Sequence, residues 1–318
     1  MKIAITARNF SDQNSLDILR AAGFEMLDLP AEELGMGAGA EALLRYVRDA
    51  DAVIAGLESY SAELLDQCPR LKLISRRGIG YDSIDLDACR RRGVAVVRTV
   101  GQVEGAVAEH LMALVLHFAR SIERENQEMH RGVWDRRMSL GAKGRTLGLV
   151  GFGGIGRELA RRARAFDMRI LYTCRHPDPA WAGAYGVQYA TLDELLAESD
   201  FVAACVPLTA ETAGMFDAGR FAQMKRGSYF LNAARSPIMG VLALKAAVER
   251  GHLAGAAVDV FPHEPCTDSP LRGVPNIVLT PHTAPFTTEN FLEMNRAAAR
   301  NVVDHFRGTL APRCYLCQ

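Results

Sequence analysis

The feature that most constrains this chain is a glycine-rich segment between an apolar run and an amphipathic stretch. The run at residues 146–150 predicts a strand and residues 155–166 predict a helix, with Gly151, Gly153 and Gly156 at their junction. In a G-x-G-x-x-G turn the glycines permit a tight bend, a close approach to a pyrophosphate, and close helix–strand packing. The helix start then presents N–H groups and a positive dipole end to phosphates. Because strand and helix are both present, the segment predicts dinucleotide binding rather than a structural turn.

Short β-branched runs alternate with amphipathic stretches along the 318 residues, which is the pattern of parallel sheets covered by helices in two domains. The first third predicts a five-strand unit, with strands at 3–7, 24–29, 52–56, 71–75 and 94–97 and helices at 15–22, 40–49, 61–67 and 86–92. After a long helix at 103–125, the second series predicts strands at 146–150, 169–173, 201–206, 228–232, 255–260 and 277–280 and helices at 155–166, 192–198 and 241–250. We expect a last helix, at 289–306, to return and pack on the first unit.

Composition narrows the class of protein. Lys and Arg together number 37, and Asp and Glu together also number 37, so the formal net charge is zero. This balance suggests neither a nucleic-acid nor a membrane-surface partner. The most apolar helical stretch, residues 106–119, is too short and polar to span a bilayer, and the first residues lack a signal-peptide pattern. Seven cysteines, set mostly singly, indicate a reducing cytoplasm. Cys314 and Cys317 form a CxxC without a second pair, so we expect an incidental feature rather than a redox or zinc half-site, and no metal.

The strand predicted at 169–173 bears on the choice between the two nicotinamide dinucleotides. An acidic residue that would bind a ribose 2′-hydroxyl is absent from its end, which continues as Cys174, Arg175 and His176. Without a carboxylate there to repel a 2′-phosphate, Arg175 can hold one. We therefore expect NADP(H) to be favoured and NAD(H) to be possible. The alternative is that Arg175 is an ordinary solvated residue.

Three later strands deliver polar residues at their ends. Arg235, Asp259 and His282 lie at or just after the strands predicted at 228–232, 255–260 and 277–280. Since ligands of open α/β folds bind at the carboxyl edge of the sheet, we expect one shared cleft. An arginine can pair with a carboxylate, a histidine can exchange a hydroxyl proton, and an acid can orient that histidine, which suits oxidation of a hydroxy acid. A second acid, Glu264, lies in the loop after the strand predicted at 255–260. The ordinary alternatives are an ion pair for Arg235, a core histidine for His282 and a helix cap for Glu264.

Several segments together carry a resemblance to a known family. They are, in order, Arg76-Arg77-Gly78-Ile79-Gly80-Tyr81-Asp82, Val107-Ala108-Glu109-His110, the glycine turn, Cys205-Val206-Pro207-Leu208-Thr209-Ala210-Glu211-Thr212, Arg235, Asp259, Glu264 and His282. With them the chain resembles the D-isomer-specific 2-hydroxyacid dehydrogenases over nearly its whole length. The resemblance implies a hydride transfer between NAD(P)H and the C2 carbon of a small 2-oxo acid or D-2-hydroxy acid. It also implies a homodimer, to which the loop with Trp134 contributes.

The resemblance implies an α/β fold of two Rossmann-like or flavodoxin-like domains with parallel sheets. Residues 1–99 and 285–318 would form a flavodoxin-like substrate (catalytic) domain, and residues 100–284 an NAD(P)-binding Rossmann domain inserted into it. His282 would be the acid/base, hydrogen-bonded to Glu264, and Arg235 would bind the substrate carboxylate. The other implied substrate contacts are Arg76, Arg77, Gly78, Ile79 and Gly80. The implied cofactor contacts are Gly151, Gly153, Gly154, Ile155, Gly156, Cys174, Arg175, His176, Val206, Pro207, Thr212, Ala233, Ala234, Arg235, Asp259 and His282, with Asp259 on the nicotinamide carboxamide.

The chain departs from the family pattern near the expected substrate site. Ser236 replaces a usual glycine and would be strained if its φ were positive, Pro285 replaces a small residue, and Arg98 replaces a frequent asparagine. Arg76, Arg77 and Arg98 together favour a substrate with a second anionic group. The alternative is that Arg77 and Arg98 face solvent.

Three rival functions stay open at this point. One is a catalytically silent protein that senses the cofactor on the same fold. Another is formate oxidation, for which similar proteins carry glutamine at the position of Glu264. The third is a Rossmann protein for another donor, such as a methyl carrier.

Overall fold

The computed structural model describes residues 1–10, 12–27 and 39–318. The strands are β1 (Lys2–Ile5), β2 (Glu25–Met26), β3 (Ala52–Ala55), β4 (Leu73–Arg76), β5 (Ala95–Arg98), β6 (Thr146–Val150), β7 (Arg169–Thr173), β8 (Gln188–Tyr189), β9 (Phe201–Ala204), β10 (Tyr229–Asn232), β11 (Gly255–Val258), β12 (Ile277–Leu279) and β13 (Tyr315–Cys317). The helices are α1 (Gln13–Ala21), α2 (Ala40–Val47), α3 (Ala62–Asp66), α4 (Leu86–Arg92), α5 (Glu104–Arg120), α6 (Ile122–His130), α7 (Gly154–Arg164), α8 (Ala180–Tyr185), α9 (Leu192–Glu198), α10 (Ala218–Gln223), α11 (Val241–Glu249) and α12 (Thr288–Arg307). The chain forms two compact units, Met1–Val103 with Phe286–Gln318, and Glu104–Pro285.

The first unit is built on a six-stranded sheet in the order β13-β5-β4-β3-β1-β2. Five strands are parallel, in the order of a flavodoxin-like sheet, and β13 pairs antiparallel with β5. The strands β3 and β4 are buried along their whole length, as expected for a parallel sheet covered on both faces. The sequence predicted only the five parallel strands. Residues 28 and 29 of the strand predicted at 24–29 lie outside the described residues.

The last helix, α12, packs on the first unit. Ala298, Ala299 and Val302 lie in one buried cluster with Ile3 and Ile5 of β1. The chain therefore returns to its first sheet after the second unit, which confirms the predicted fold of one domain inserted into a split one. The chain after α12 also forms β13, in which Cys317 is buried. Because β13 is the edge strand beside β5, the CxxC segment lies at the edge of the sheet.

The second unit is built on a seven-stranded parallel sheet in the order β12-β11-β10-β9-β6-β7-β8. Starting from β6, this is the strand order of a Rossmann sheet with one strand added at the β12 edge. Its core includes Phe230 of β10, Phe221 of α10 and Phe216 from the segment just before α10. The predicted α/β class with two mainly parallel sheets is confirmed.

The helix predicted at 103–125 is interrupted in the structure. Ser121 has a left-handed conformation, with φ of 53°, and divides the segment into α5 and α6. No glycine or proline marks this break, so the sequence pattern alone did not reveal it. The short elements α8, α10 and β8 were also missing from the prediction, because two to six residues carry too little periodicity to detect.

Across residues 1–10, 12–27 and 39–318, no helix has the length and apolar character needed to cross a membrane.

Candidate functional site

The carboxyl edge of the second sheet gathers three of the predicted polar residues. Strands β10, β11 and β12 are parallel neighbours, and their last residues lie level in the register. Arg235, Asp259 and His282 lie one to three positions beyond these ends. The sheet therefore brings all three side chains to the same edge.

His282 and Glu264 form a hydrogen-bonded pair at this edge. His282 Nδ1 lies 2.7 Å from Glu264 Oε2, and the Phe261 N–H donates to Glu264 Oε1 over 2.9 Å. Burial raises the pKa of Glu264, but the hydrogen bond from His282 and the charge of His282 lower it. The Phe261 N–H and the charge of Arg235 lower it further, and together these effects exceed that of burial. The pKa of Glu264 therefore lies below its usual range, and the carboxylate accepts the Nδ1 proton. This leaves Nε2 of His282 for a substrate.

The turn that carries His282 has an unfavourable backbone conformation. The φ of His282 is 54°, which costs an L-residue roughly 1–2 kcal/mol. Asp259 holds this turn: its carbonyl accepts from the His282 N–H over 2.8 Å, and its two carboxylate oxygens accept from the Thr283 and Ala284 amides over 2.9 and 3.0 Å. With a side chain that is 1% exposed, Asp259 orients His282 through the backbone.

Thr280 and His110 complete this network, and the sequence alone predicted no role for either of them. Thr280 Oγ1 donates to Asp259 Oδ1 over 2.5 Å. His110 Nε2, from α5, lies 3.3 Å from the same hydroxyl. His110 stands in one of the segments that carry the family resemblance, which was the only available signal. Its contact spans 170 positions of sequence and could be seen only in the structure.

Arg235 follows β10 on a loop that Asn232 fixes. Asn232 Oδ1 accepts from the Ala234 N–H, and Asn232 Nδ2 donates to the Arg235 carbonyl, both over 3.0 Å. Arg235 Nη1 donates to the Ala234 carbonyl over 2.7 Å, and the side chain lies near enough to Glu264 to lower its pKa. Ser236 starts a short 3₁₀ turn and is not a positive-φ residue, so the strain considered for this position does not arise.

The glycine turn has the shape that a dinucleotide requires. Gly151 has φ of 100°, and a Cβ there would lie 2.6 Å from the Cys205 carbonyl oxygen. A Cβ on Gly156 would lie 2.6 Å from the Gly151 carbonyl oxygen, whereas the space beside Gly153 is open. Helix α7 begins at Gly154 without a side-chain cap, so its first N–H groups are available to an anion. These residues fit a pyrophosphate.

A carboxylate lies near the residues that follow β7, although the sequence predicted none there. Cys174 is partly buried, and Arg175 and His176 are exposed. Glu211, from the loop after β9, has a lowered pKa, chiefly through a hydrogen bond to the Thr209 side chain and to a smaller extent through the charge of Arg175. A carboxylate therefore lies near Arg175 after all. The residues that follow β7 do not indicate it, because Glu211 lies on the loop after another strand, β9.

The remaining predicted cofactor residues lie on loops at the same sheet edge, except Ile155, which lies in the first turn of α7. The loop after β9 is closed by Thr212, whose hydroxyl donates to the Pro207 carbonyl over 2.6 Å and accepts from the Thr209 N–H over 2.8 Å. Ile155 is partly buried at the start of α7. Val206, Ala233 and Ala234 are also partly buried.

In the first unit, the segment Arg76 to Gly80 begins at the last residue of β4 and continues into the loop that follows. Its two arginines are engaged within that unit. Arg77 Nη1 donates to the Arg8 carbonyl over 2.7 Å and to Asn295 Oδ1 over 3.1 Å, and its guanidinium lies 4.4 Å from the centre of the Phe291 ring. Burial lowers the pKa of Arg77 to about 10. Arg77 therefore does not simply face solvent.

Arg76 is buried, and its charge acts on a buried carboxylate. Burial raises the pKa of Glu58 above its usual range, while backbone N–H groups, including that of Gly56, and the charge of Arg76 act in the opposite direction. The N–H of Gly78 donates to Thr99 Oγ1 over 2.9 Å, and a Cβ on Gly78 would lie 3.0 Å from Arg76 Nη1. Arg98 is partly buried, and its carbonyl accepts from Asn301 Nδ2 over 3.1 Å.

Comparison with known proteins identifies the family to which this chain is similar. The family described as D-isomer specific 2-hydroxyacid dehydrogenase, NAD binding domain, matches residues 112–284. A glyoxylate reductase from Pyrococcus furiosus is 37% identical over 282 residues, which cover 86% of this chain and 84% of that protein. Glyoxylate/hydroxypyruvate reductase B from Klebsiella pneumoniae is 36% identical over 272 residues, which cover 83% of this chain and 84% of that protein.

The similarity extends to solved structures. A glyoxylate reductase from Paecilomyes thermophila has a TM-score of 0.87 and 28% identity, covering 99% of this chain and 98% of that one. The family match spans the glycine turn, Arg235, Asp259, Glu264 and His282, which are the residues that the fold gathers at one sheet edge. From this agreement between geometry and sequence similarity, we conclude that the chain belongs to the D-isomer-specific 2-hydroxyacid dehydrogenase family of nicotinamide-dependent oxidoreductases.

Proposed function

We propose that this chain reduces a small 2-oxo acid to its D-2-hydroxy acid with a reduced nicotinamide cofactor. The observation that carries the proposal is the His282–Glu264 pair, 2.7 Å apart, at the sheet edge shared with Arg235. The names of the two curated relatives, a glyoxylate reductase and a glyoxylate/hydroxypyruvate reductase, support a small 2-oxo acid and the direction of reduction.

In this proposal the cofactor supplies a hydride to C2 of the substrate. His282 Nε2 donates a proton to the substrate oxygen, so that the carbonyl becomes a hydroxyl. Glu264 stabilises the protonated imidazole before the transfer and keeps its ring oriented. Arg235 pairs with the substrate carboxylate and polarises the adjacent carbonyl. Catalysis therefore depends on an arginine and a histidine that the same sheet edge presents.

We also propose that the glycine turn holds the cofactor pyrophosphate, with Gly151, Gly153, Gly154, Ile155 and Gly156 around it. The other proposed contacts are Cys174, Arg175, His176, Val206, Pro207, Thr212, Ala233, Ala234, Arg235, Asp259 and His282. Asp259 Oδ1 already accepts from Thr280 and Thr283, whereas Oδ2 accepts from Ala284 and has room for a second donor, such as a carboxamide.

NADP(H) remains the proposed preference, with NAD(H) as the alternative. Exposed Arg175 supports it, because a guanidinium can bind a 2′-phosphate. The nearby carboxylate of Glu211 acts against it, so we expect a moderate rather than an absolute preference. The ratio of kcat/KM for NADPH and NADH measures this directly.

For the first unit, we propose that the loop Arg76 to Gly80 binds the substrate carboxylate through the amides of Ile79 and Gly80. The Gly78 N–H already donates to Thr99, so it is a weaker candidate. Because Arg77 is engaged by Arg8 and Asn295, a second anionic group on the substrate is less favoured than the sequence suggested. We therefore propose a monoanionic oxo acid.

We further propose a homodimer in a reducing compartment, the cytoplasm. The segment from α6 through the following loop exposes several large apolar side chains, including Trp134, 77% exposed, and Met138, 98% exposed. A second copy of the chain would remove them from water. All seven cysteines are free, which suits a reducing compartment. Sedimentation of the wild type against a Trp134→Ser variant tests the dimer.

The deciding experiment follows absorbance of the reduced nicotinamide across a panel of 2-oxo acids, with NADPH and NADH separately. Glyoxylate and hydroxypyruvate should be reduced much faster than oxo acids with a second carboxylate or a phosphate. Faster turnover of the dianionic acids would overturn the substrate proposal. Tight binding of NADPH without turnover of any acid would instead favour the alternative function, a catalytically silent protein that senses the cofactor.

Formate oxidation needs no proton transfer by the enzyme to or from the substrate. The carboxylate of Glu264 and its bond to His282 speak against it, since they prepare the imidazole for proton transfer. Including formate and NAD⁺ in the panel tests this second candidate. A rate with formate above that of every hydroxy acid would favour it.

A further inference from the structure

A second group of reactive side chains lies on the loop between β11 and β12, the loop that also carries Glu264. His263, Cys266 and Asp268 each offer one ligand atom, and these three atoms lie within 4.8 Å of one another. His263 Nε2 is 3.1 Å from Asp268 Oδ1, and Cys266 Sγ is 3.7 Å from the same oxygen. From the sequence alone, no metal was expected.

These distances are close to those that a tetrahedral zinc ion imposes. With bonds of about 2.0–2.1 Å to nitrogen and oxygen and about 2.3 Å to sulfur, tetrahedral ligands lie about 3.3 Å (N–O) and about 3.6 Å (S–O) apart. Two of the three pairs therefore need shifts of only a few tenths of an ångström. The third pair, His263 and Cys266, lies within 4.8 Å and would close by at most about 1.2 Å to the tetrahedral N–S spacing of about 3.6 Å.

The loop is held by bonds that do not involve the ligand atoms. The Leu271 N–H donates to Ser269 Oγ over 3.3 Å, the Arg272 N–H donates to the Ser269 carbonyl over 3.0 Å, and the Arg272 guanidinium donates to the Thr267 carbonyl. These bonds fix the segment around Asp268, and the contacts of His263 and Cys266 with Asp268 Oδ1 already bring the ligand atoms together, which reduces the entropy lost when an ion binds.

The chemistry of the three ligands selects among cations. A thiolate and an imidazole disfavour Mg²⁺ and Ca²⁺, which prefer oxygen ligands, and favour zinc-like ions. His263 and Asp268 are exposed, so a hydrated ion can reach them. Three protein ligands leave a fourth position for water.

We propose that His263, Cys266 and Asp268 form a binding site for Zn²⁺ or a similar divalent transition-metal ion. The site is separate from the hydride-transfer residues, but Glu264 lies between two of its ligands in the chain. A bound ion therefore ties together the loop that carries Glu264 and stabilises it. The proposal does not depend on the substrate or on the cofactor.

The test uses the intact metal-free protein and no substrate. Titration with Zn²⁺ in competition with a coloured chelator should show one strong site per chain in the wild type. Cys266→Ser and Asp268→Asn should each lose this site, whereas Cys314→Ser, at another partly buried cysteine, should retain it. Uptake that is weak in the wild type, or equal in all four proteins, would overturn the proposal.

Two direct readouts report the ligands themselves. Co²⁺ should produce a thiolate-to-cobalt charge-transfer band that disappears in Cys266→Ser. Zn²⁺ should slow alkylation of Cys266 but not of Cys314, as measured by peptide mass spectrometry. A cobalt spectrum without a thiolate band, or unprotected Cys266, would count against the site even if some zinc binds. None of these outcomes bears on the proposed reduction of oxo acids.

Discussion

The two ends of the second sheet's carboxyl edge are built in different ways. At one end, the turn with His282 is fixed by Glu264, by three acceptor atoms of buried Asp259, and by Thr280 with His110 behind them. At the other end, Arg175 and His176 after β7 are exposed and Cys174 is only partly buried. One end is enclosed by a hydrogen-bonded network, and the other is open.

This difference separates two properties of the protein. The enclosed end would determine the type of reaction, since the strained His282 backbone persists only because its neighbours hold it. The open end would determine which cofactor is preferred, and its side chains can change without disturbing a core. Substitutions at the first end should therefore have large effects on turnover, and substitutions at the second should have small effects on cofactor choice.

The largest effect is expected for His282→Asn. Removing the proposed acid/base should lower kcat by roughly 10²–10⁴-fold. Cofactor affinity should fall much less, because His282 is one of many proposed cofactor contacts. Steady-state kinetics with glyoxylate and fluorescence titration with NADPH measure the two quantities. His252→Asn, at the opposite edge of the same sheet, is the matched control and should keep its activity. Full activity of His282→Asn would remove the histidine from the mechanism.

Glu264→Gln should have the next largest effect. It keeps the size of the side chain but removes the charge that stabilises the imidazolium, so kcat should fall by about 10-fold to 100-fold, the effect of losing a bond of roughly 1.5–3 kcal/mol to a charged group. An unchanged kcat would mean that the pair of Glu264 and His282 is only structural.

The same variant tests a pH dependence of stability. The pKa of Glu264 is lower in the folded protein than its ordinary value of 4.5, so its ionised form stabilises the fold above that value. This contribution is lost as the pH falls through the folded pKa. Between pH 6 and acidic pH, the wild type should therefore lose more thermal stability than Glu264→Gln. Equal losses would contradict the lowered pKa.

Thr280→Val tests the outer part of the enclosed network. The change removes the hydroxyl that joins Asp259 and His110, and the loss of a hydrogen bond to the buried Asp259 carboxylate costs about 1–3 kcal/mol. We expect several-fold lower kcat with KM almost unchanged, because the orientation of His282 is disturbed rather than substrate binding. Thr280→Ser keeps the hydroxyl and should restore the wild-type rate. A wild-type rate for Thr280→Val would show that the hydroxyl does not help to orient His282.

The smallest effects belong to the open end. Arg175→Ala should lower kcat/KM for NADPH by up to about fivefold and leave that for NADH almost unchanged, since an exposed ion pair contributes up to roughly 1 kcal/mol. Glu211→Gln, its matched counterpart of opposite charge, should raise the NADPH preference by about twofold. If Arg175→Ala affects both cofactors equally, the arginine does not recognise the 2′-phosphate.

The sequence allowed the two α/β units and most of their elements to be predicted, because buried parallel strands and amphipathic helices leave a strong periodic pattern. The strand β6 and the helix α9 have the predicted bounds. The break at Ser121 and the terminal strand β13 left no such pattern. A three-residue strand forms only because β5 offers it a partner.

By itself, the sequence determined which residue types could carry the reaction, since the glycine turn, Arg235, Glu264 and His282 are local features of the chain. Only the tertiary structure decided how they are held. The contact between His110 and Thr280, the carboxylate of Glu211 near Arg175, and the engagement of Arg77 by Asn295 join residues far apart in sequence. Such contacts depend on which strands become neighbours, and the packing of the whole sheet determines that order.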